Sequence, residues 1–168
     1  MRLAWVALLA LACGTSCATA GMPPSASSPV LDKPIPAFKR RSIDGTPVAP
    51  QGRIVVVKFF AKYCEPCKKT LPAAQRLHEQ NGDITFIGIA EDEYQADVEE
   101  MVHAFKLTFP IIHDRGNVLA GRFRVNVLPA TFVADATGKV RWVGGEDQTE
   151  ADLEAAIESL KQGNDRTP

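Results

Sequence analysis

The chain has 168 residues, 45% of them hydrophobic, with 19 basic and 20 acidic side chains and a formal net charge of -1. That suits one globular domain with its own core plus short appendages. Because charges of both signs are interspersed, no basic face is offered to a nucleic acid, and that class of partner is excluded.

The opening stretch "MRLAWVALLALACGTSCATAG" sets Arg2 before an apolar run from Leu3 to Ala12, the anatomy of a secretory signal over residues 1–20. The run is too short to span a bilayer. Its end reads in two ways. "LALAC" resembles a lipobox, which would make Cys13 the lipid-bearing first residue of the mature protein; "ATA" before Gly21 resembles an ordinary cleavage site after Ala20. Both readings put the mature domain outside the cytoplasm, touching the membrane only through signal or lipid. "GMPPSASSPVLDKPIP" cannot continue a helix and reads as a Pro/Ser-rich linker over 21–34. The folded domain is then expected over 35–163, with a tail at 164–168.

A hairpin centred on Asp44-Gly45 comes next. From Ile54 to Phe60 the chain is β-branched or aromatic apart from Lys58, the composition of a strand buried on both faces. Helix signals run from the cysteines at 64 and 67 to "NGD" at 81–83, with Pro72 expected to kink the helix. "ITFIGIA", residues 84–90, is a second buried strand. Behind the acidic stretch "EDE", which complements a helix N-terminus, Tyr94, Val98, Met101, Val102 and Phe105 recur at helical spacing.

"FPIIHD" is a short extended piece and "NVLAGRF" a short helix. "PATFVAD" and "KVRWVGG" flank the turn "ATG" as an antiparallel hairpin on which Trp142 is expected half-buried. Leu153, Ala156, Ile157 and Leu160 mark a last helix, with Thr149 as N-cap and Gly163 just past its end. The order βαβα then ββα predicts an α/β domain, a small central sheet flanked by helices.

With Cys13 and Cys17 in the leader, the domain holds only Cys64 and Cys67, in "AKYCEPCKKTLP". A structural zinc needs four ligands, and His78, His103 and His113 show no ligand spacing. A staple enclosing two residues removes little entropy from the unfolded chain. A cycling dithiol fits better. Cys64 follows a buried strand and opens a helix, where free N–H groups and the dipole favour its thiolate. Cys67 lies one turn on, and Pro66, lacking an N–H, presets the first turn. Lys62, Lys68 and Lys69 favour the thiolate; Glu65 opposes it.

"VVVKFFAKYCEPCKKTLP", followed in order by "FPIIHD", "VNVLPATFVAD" and "GKVRWVGG", resembles the TlpA/ResA-type thiol:disulfide oxidoreductases of bacterial envelopes, over about Ile35 to Leu160. The resemblance implies a thioredoxin-like fold, a central mixed β-sheet flanked by helices with an N-terminal β-hairpin extension. It implies a Cys64–Cys67 disulfide in the oxidised protein, Cys64 as nucleophile, Cys67 as resolving thiol and Pro129 as a cis-proline facing them. Leu128 would pair with an extended substrate chain, beside Tyr63, Glu65 and Pro66. The implied function is reduction of protein disulfides, as in cytochrome c maturation, with electrons from a membrane donor protein and no dissociable cofactor.

Three positions depart from the family pattern. Tyr63 replaces the usual tryptophan, and Thr70 stands where some members carry a glutamate. Lys58 occupies the place of the buried acid of thioredoxins. There it reads either as a desolvated amine able to take the Cys67 proton or as a stem whose ammonium snorkels to water. A thiol peroxidase and a non-catalytic metal chaperone are the competing functions. Ala61 stands where a peroxidase threonine would be, and copper-delivery relatives use a wider cysteine spacing. His113 and Asp114 suggest an acid–base pair, though at a strand end remote from the cysteines.

Overall fold

The computed structural model describes residues 21–52 and 54–164. The expected signal 1–20, with Cys13, and residues 165–168 of the expected tail lie outside the described residues.

The hairpin is a two-stranded antiparallel sheet, β1 (Arg40–Arg41) and β2 (Pro47–Val48). Its turn is closed by Asp44 Oδ1 accepting the Thr46 N–H at 2.9 Å, with Gly45 at φ 87°, a region open to glycine. There follow β3 (Val55–Phe60), α1 (Glu65–Gln80), β4 (Thr85–Ala90), α2 (Gln95–Phe105), β5 (Ile111–His113), α3 (Val118–Phe123), β6 (Ala130–Ala134), β7 (Val140–Gly144) and α4 (Glu150–Asn164). The main sheet runs β5-β4-β3-β6-β7; β3, β4 and β5 are parallel, and β6 and β7 are antiparallel to their neighbours. The expected mixed sheet flanked by helices is observed.

Period-two alternation sends successive β3 side chains to opposite faces. Ile54, Val56 and Phe60 pack with α1, α2 and α4, through Leu71, Ala74, Leu77, Val98, Met101, Ala156 and Ile157. Val55, Val57 and Phe59 pack with Phe38, Val48, Leu119, Phe123 and Phe132 on the face of α3 and the hairpin. Both cysteines belong to the first face.

Three expectations change. The stretch expected as a linker lies along the outer edge of β7: Ala26 N–H donates to the Val143 carbonyl (2.7 Å), Asp32 N–H to Val140 (2.9 Å) and Val140 N–H to Lys33 (2.9 Å). Its few N–H groups satisfy an edge that would otherwise be bare. This arm also covers Trp142, which is 1% exposed rather than half-buried, its Nε1 donating to the Pro24 carbonyl at 2.9 Å. Finally, α4 does not stop before Gly163 but runs through Asn164; a glycine in the last turn has few helical bonds to weaken. At the other end Thr149 does cap it: Asp152 N–H donates to Thr149 Oγ1 (3.2 Å) and Thr149 N–H to Asp152 Oδ2 (2.8 Å).

Candidate active site

β3 ends at Phe60, and a turn closed by Cys64 N–H donating to the Ala61 carbonyl (3.1 Å) delivers Cys64 to the N-cap of α1. There Cys64 has extended backbone angles, φ -88° and ψ 99°, and its Sγ accepts the Cys67 N–H at 3.1 Å. An N-cap side chain that accepts such a donor does the work of a serine or aspartate cap, and the helix field lowers the cost of negative charge on it. Glu65 and Pro66 occupy the first turn, where proline's missing N–H costs nothing. Cys64 is 5% exposed and Cys67 wholly buried, and the two form a disulfide with sulfurs 2.04 Å apart. Tyr63 beside them is 70% exposed.

The Leu128–Pro129 peptide bond is cis. Pro129 leads into β6, whose Ala130 pairs with Phe59 near the end of β3, so the cis bond and the cysteines stand at one end of the sheet. Tyr63, Cys64, Glu65, Pro66 and Leu128 line one cleft of about 780 Å³, together with Glu91, Asn117, Val125, Asn126, Val127 and Glu146. Of the sequence-derived candidates, Tyr63, Cys64, Glu65, Pro66 and Leu128 thus share one cleft, and Cys67 is tied to it through the disulfide; Pro129 lines a separate groove with Trp142 and Val143, and Lys58 lines neither.

Lys58 shares a face of the sheet with the dithiol. It sits on β3 between Val56 and Phe60, residues that pack in the same cluster as Cys67, and so points to that face. It is 1% exposed, so its ammonium does not snorkel; Nζ donates to Thr131 Oγ1 at 3.3 Å across the β3–β6 ladder. Burial alone pushes its pKa down from 10.5 to about 7.

Thr70 supplies no acid: its hydroxyl donates within the helix to the Cys67 carbonyl at 3.2 Å. His113 and Asp114 do not pair. The His113 Nε2 lies 2.7 Å from the Asp92 carbonyl, while Asp114 Oδ2 accepts the Leu119 and Ala120 N–H groups (2.8 and 2.9 Å) that open α3. Among the described residues, no three His, Cys, Asp or Glu side chains converge as metal ligands. Pro72 lies within α1, which continues through it to Gln80.

The residues that sequence reasoning missed are Glu91 and Asp92. It read "EDE" as a complement to the next helix, yet α2 begins at Gln95 with no side-chain cap. Glu91 instead lines the cleft, and Asp92 Oδ1 accepts the Lys62 N–H at 2.9 Å, anchoring the cysteine turn. The available signal was position: polar residues just past the carboxyl end of a parallel strand face the site in α/β sheets.

Known proteins resemble this chain in both sequence and fold. Thiol-disulfide oxidoreductase ResA of Geobacillus thermodenitrificans is 30% identical over 66% of this chain and 65% of its own length. The chain therefore spans just under two thirds of that relative. ResA of Bacillus anthracis is 28% identical over 77% of this chain and 78% of its own. A solved structure of a thioredoxin family thiol:disulfide interchange protein from Chlorobium tepidum superposes with a TM-score of 0.66 at 26% identity, over 80% of this chain and 99% of the other. The AhpC/TSA family matches residues 31–143. With a thioredoxin-like sheet and helices and a family match across most of its length, the chain belongs to the AhpC/TSA family.

Proposed function

We propose that the protein is an extracytoplasmic thiol:disulfide oxidoreductase that reduces disulfides in exported proteins. The observation that carries this is the Cys64 sulfur at a helix N-cap, accepting an N–H, with a second sulfur one turn inside. As a thiolate, Cys64 attacks a substrate disulfide; Cys67 then attacks Cys64 and releases the substrate, leaving the enzyme oxidised. Leu128 offers its backbone to an extended substrate, and Tyr63, Glu65 and Pro66 form the rest of the docking rim. Lys58, as a neutral amine near pH 7, takes the Cys67 proton before that second attack.

The reductive direction, a membrane electron donor and a role such as cytochrome c maturation come from the resemblance to envelope reductases. The leader at residues 1–20 supports a periplasmic site, with anchoring through a lipid on Cys13.

The test uses the reduced protein and a cysteine-pair peptide disulfide. Cys64→Ser abolishes exchange, and Cys67→Ser accumulates a mixed disulfide at Cys64. A dithiol potential below about -200 mV supports the reductive direction, and one well above it reverses that direction. Peroxide consumed faster than disulfide marks a peroxidase instead.

A further inference from the structure

Glu91 is placed by strand pairing. Ala90 stands opposite Phe60 in the parallel ladder, and the Glu91 N–H donates to the Phe60 carbonyl at 3.0 Å. At that point β3 leaves the sheet to make the turn that delivers Cys64, so Glu91 and Cys64 emerge from adjacent strand ends into one cleft. The Glu91 Oε1 is closed off from solvent and, among the described residues, has no hydrogen-bond partner. Glu91 as a whole is partly buried, and a cleft carboxyl oxygen without a protein partner fits a role in handling protons.

The charged groups around Glu91 come from its own loop, from the end of β5 and from the cleft lining. Asp92, on its own loop, is buried, with Oδ2 unpartnered among the described residues. Asp114, after β5, is occupied with the start of α3, and His113 with the Asp92 carbonyl. Glu65, Glu146 and Tyr63 are the other acidic and phenolic side chains in the cleft lining.

The ion-paired lysines of the cysteine segment are committed elsewhere. The Lys62 ammonium is drawn to Asp97 (2.8 Å) and Glu100 (2.6 Å) on α2, and Lys68 to Glu65 (2.6 Å). Burial first, then the charges of Asp114 and Asp92, push the Glu91 carboxyl up from 4.5 to about 7. The Tyr63 phenol is also pushed up, by burial and then by Glu91 and Asp92, which places these groups within electrostatic range of one another.

We propose that Glu91 is the proton donor to the substrate sulfur that departs when Cys64 attacks, an assignment that rests on the exchange reaction proposed above. The Cys64 thiolate forms a bond to the nearer substrate sulfur. The substrate S–S bond breaks, and its electron pair passes to the farther sulfur, which takes the proton of the Glu91 carboxyl. Glu91, now a carboxylate, regains a proton from water at the open side of the cleft. When deprotonated Cys67 attacks Cys64, the Cys64–Cys67 bond forms, the mixed disulfide breaks, and the second substrate sulfur leaves with the electron pair and the renewed Glu91 proton. Lys58 handles the enzyme's proton on the dry side of the dithiol, and Glu91 the substrate's on the wet side.

The experiment compares full-length wild type and Glu91→Gln, both reduced, on two disulfides across pH. One is an alkyl cysteine-peptide disulfide, whose departing thiolate needs a proton. The other is an aromatic nitrothiobenzoate disulfide, whose departing thiolate does not. Expected on the alkyl disulfide is a loss of about tenfold or more near pH 6, with loss of that part of the inflection near 7 which the aromatic disulfide does not share, and equal rates on the aromatic one. A Glu91→Ala variant with added formate recovers the alkyl rate. Equal alkyl rates, or a Glu91→Gln enzyme faster on both disulfides, overturn the assignment; the faster enzyme would identify Glu91 as a like-charge brake on Cys64. If wild type exchanges with neither disulfide, the exchange reading itself fails and the assignment falls with it.

Discussion

The two faces of the main sheet are built to different rules. On the face of α3, the aromatic rings of Phe38, Phe59, Phe123 and Phe132 interlock with centroids 5.1 to 6.1 Å apart, in a cluster made of apolar side chains. On the face of α1, α2 and α4, the equally buried interior admits both cysteines and an amine, Lys58. One face is free to maximise packing, whereas the other gives up stability to bury an amine on the side of the dithiol. The lesson is that the sheet face carrying the cysteines also carries a buried amine whose partner among the described residues is a hydroxyl.

Lys58→Met tests that difference most severely. In the unfolded chain the amine titrates at 10.5, in the folded one at about 7, so between those values the unfolded state binds more protons. Stability therefore rises as pH climbs from about 7 toward 10.5, and below 7 the full penalty is present. Removing the amine should raise unfolding free energy by up to about 5 kcal/mol at pH 6 and flatten that slope, read by denaturant melts at several pH values. The same variant should release a Cys64 mixed disulfide more slowly. A stabilised protein with unaltered release makes Lys58 a passive occupant of the core.

Phe59→Ala attacks the other face. It should cost about 3–4 kcal/mol in the same melts, with exchange per folded molecule unchanged. A loss of activity beyond the loss of fold would mean that the faces are not separable. The smallest effect belongs to Arg76→Ala at the α1–α4 surface, where the guanidinium meets Glu150 with both side chains half in solvent. Less than about 1 kcal/mol is expected there.

How much could be read in advance follows the physics of each segment. β3 and β4 were legible because each is a short unbroken apolar run, α1 because helix-favouring residues run from the cysteines to the NGD stop, and the Cys64-Glu65-Pro66-Cys67 turn because each residue suits a helix start. Lys58 could be located but not assigned, since its sequence neighbours allow both a snorkelling and a buried amine. Its 1% exposure is fixed by elements far away in the chain, Thr131 among them. The N-terminal arm was misread because composition says what a Pro/Ser-rich segment cannot do alone, not what an unfilled strand edge will do for it. Glu91 was passed over because local charge pattern suited a helix start, while the cleft that gives it meaning is assembled from separate stretches of the chain.

The arm's place along β7 has a further consequence, for self-association. Outer strands are where one molecule can add itself to the next; here one outer strand is occupied by the chain's own residues 26–35, and the opposite one, β5, is only three residues long. A version of the chain beginning at residue 36 would keep both cysteines and the whole sheet yet present a naked ribbon of donors and acceptors. Its first symptom should be clumping at high concentration rather than lost chemistry.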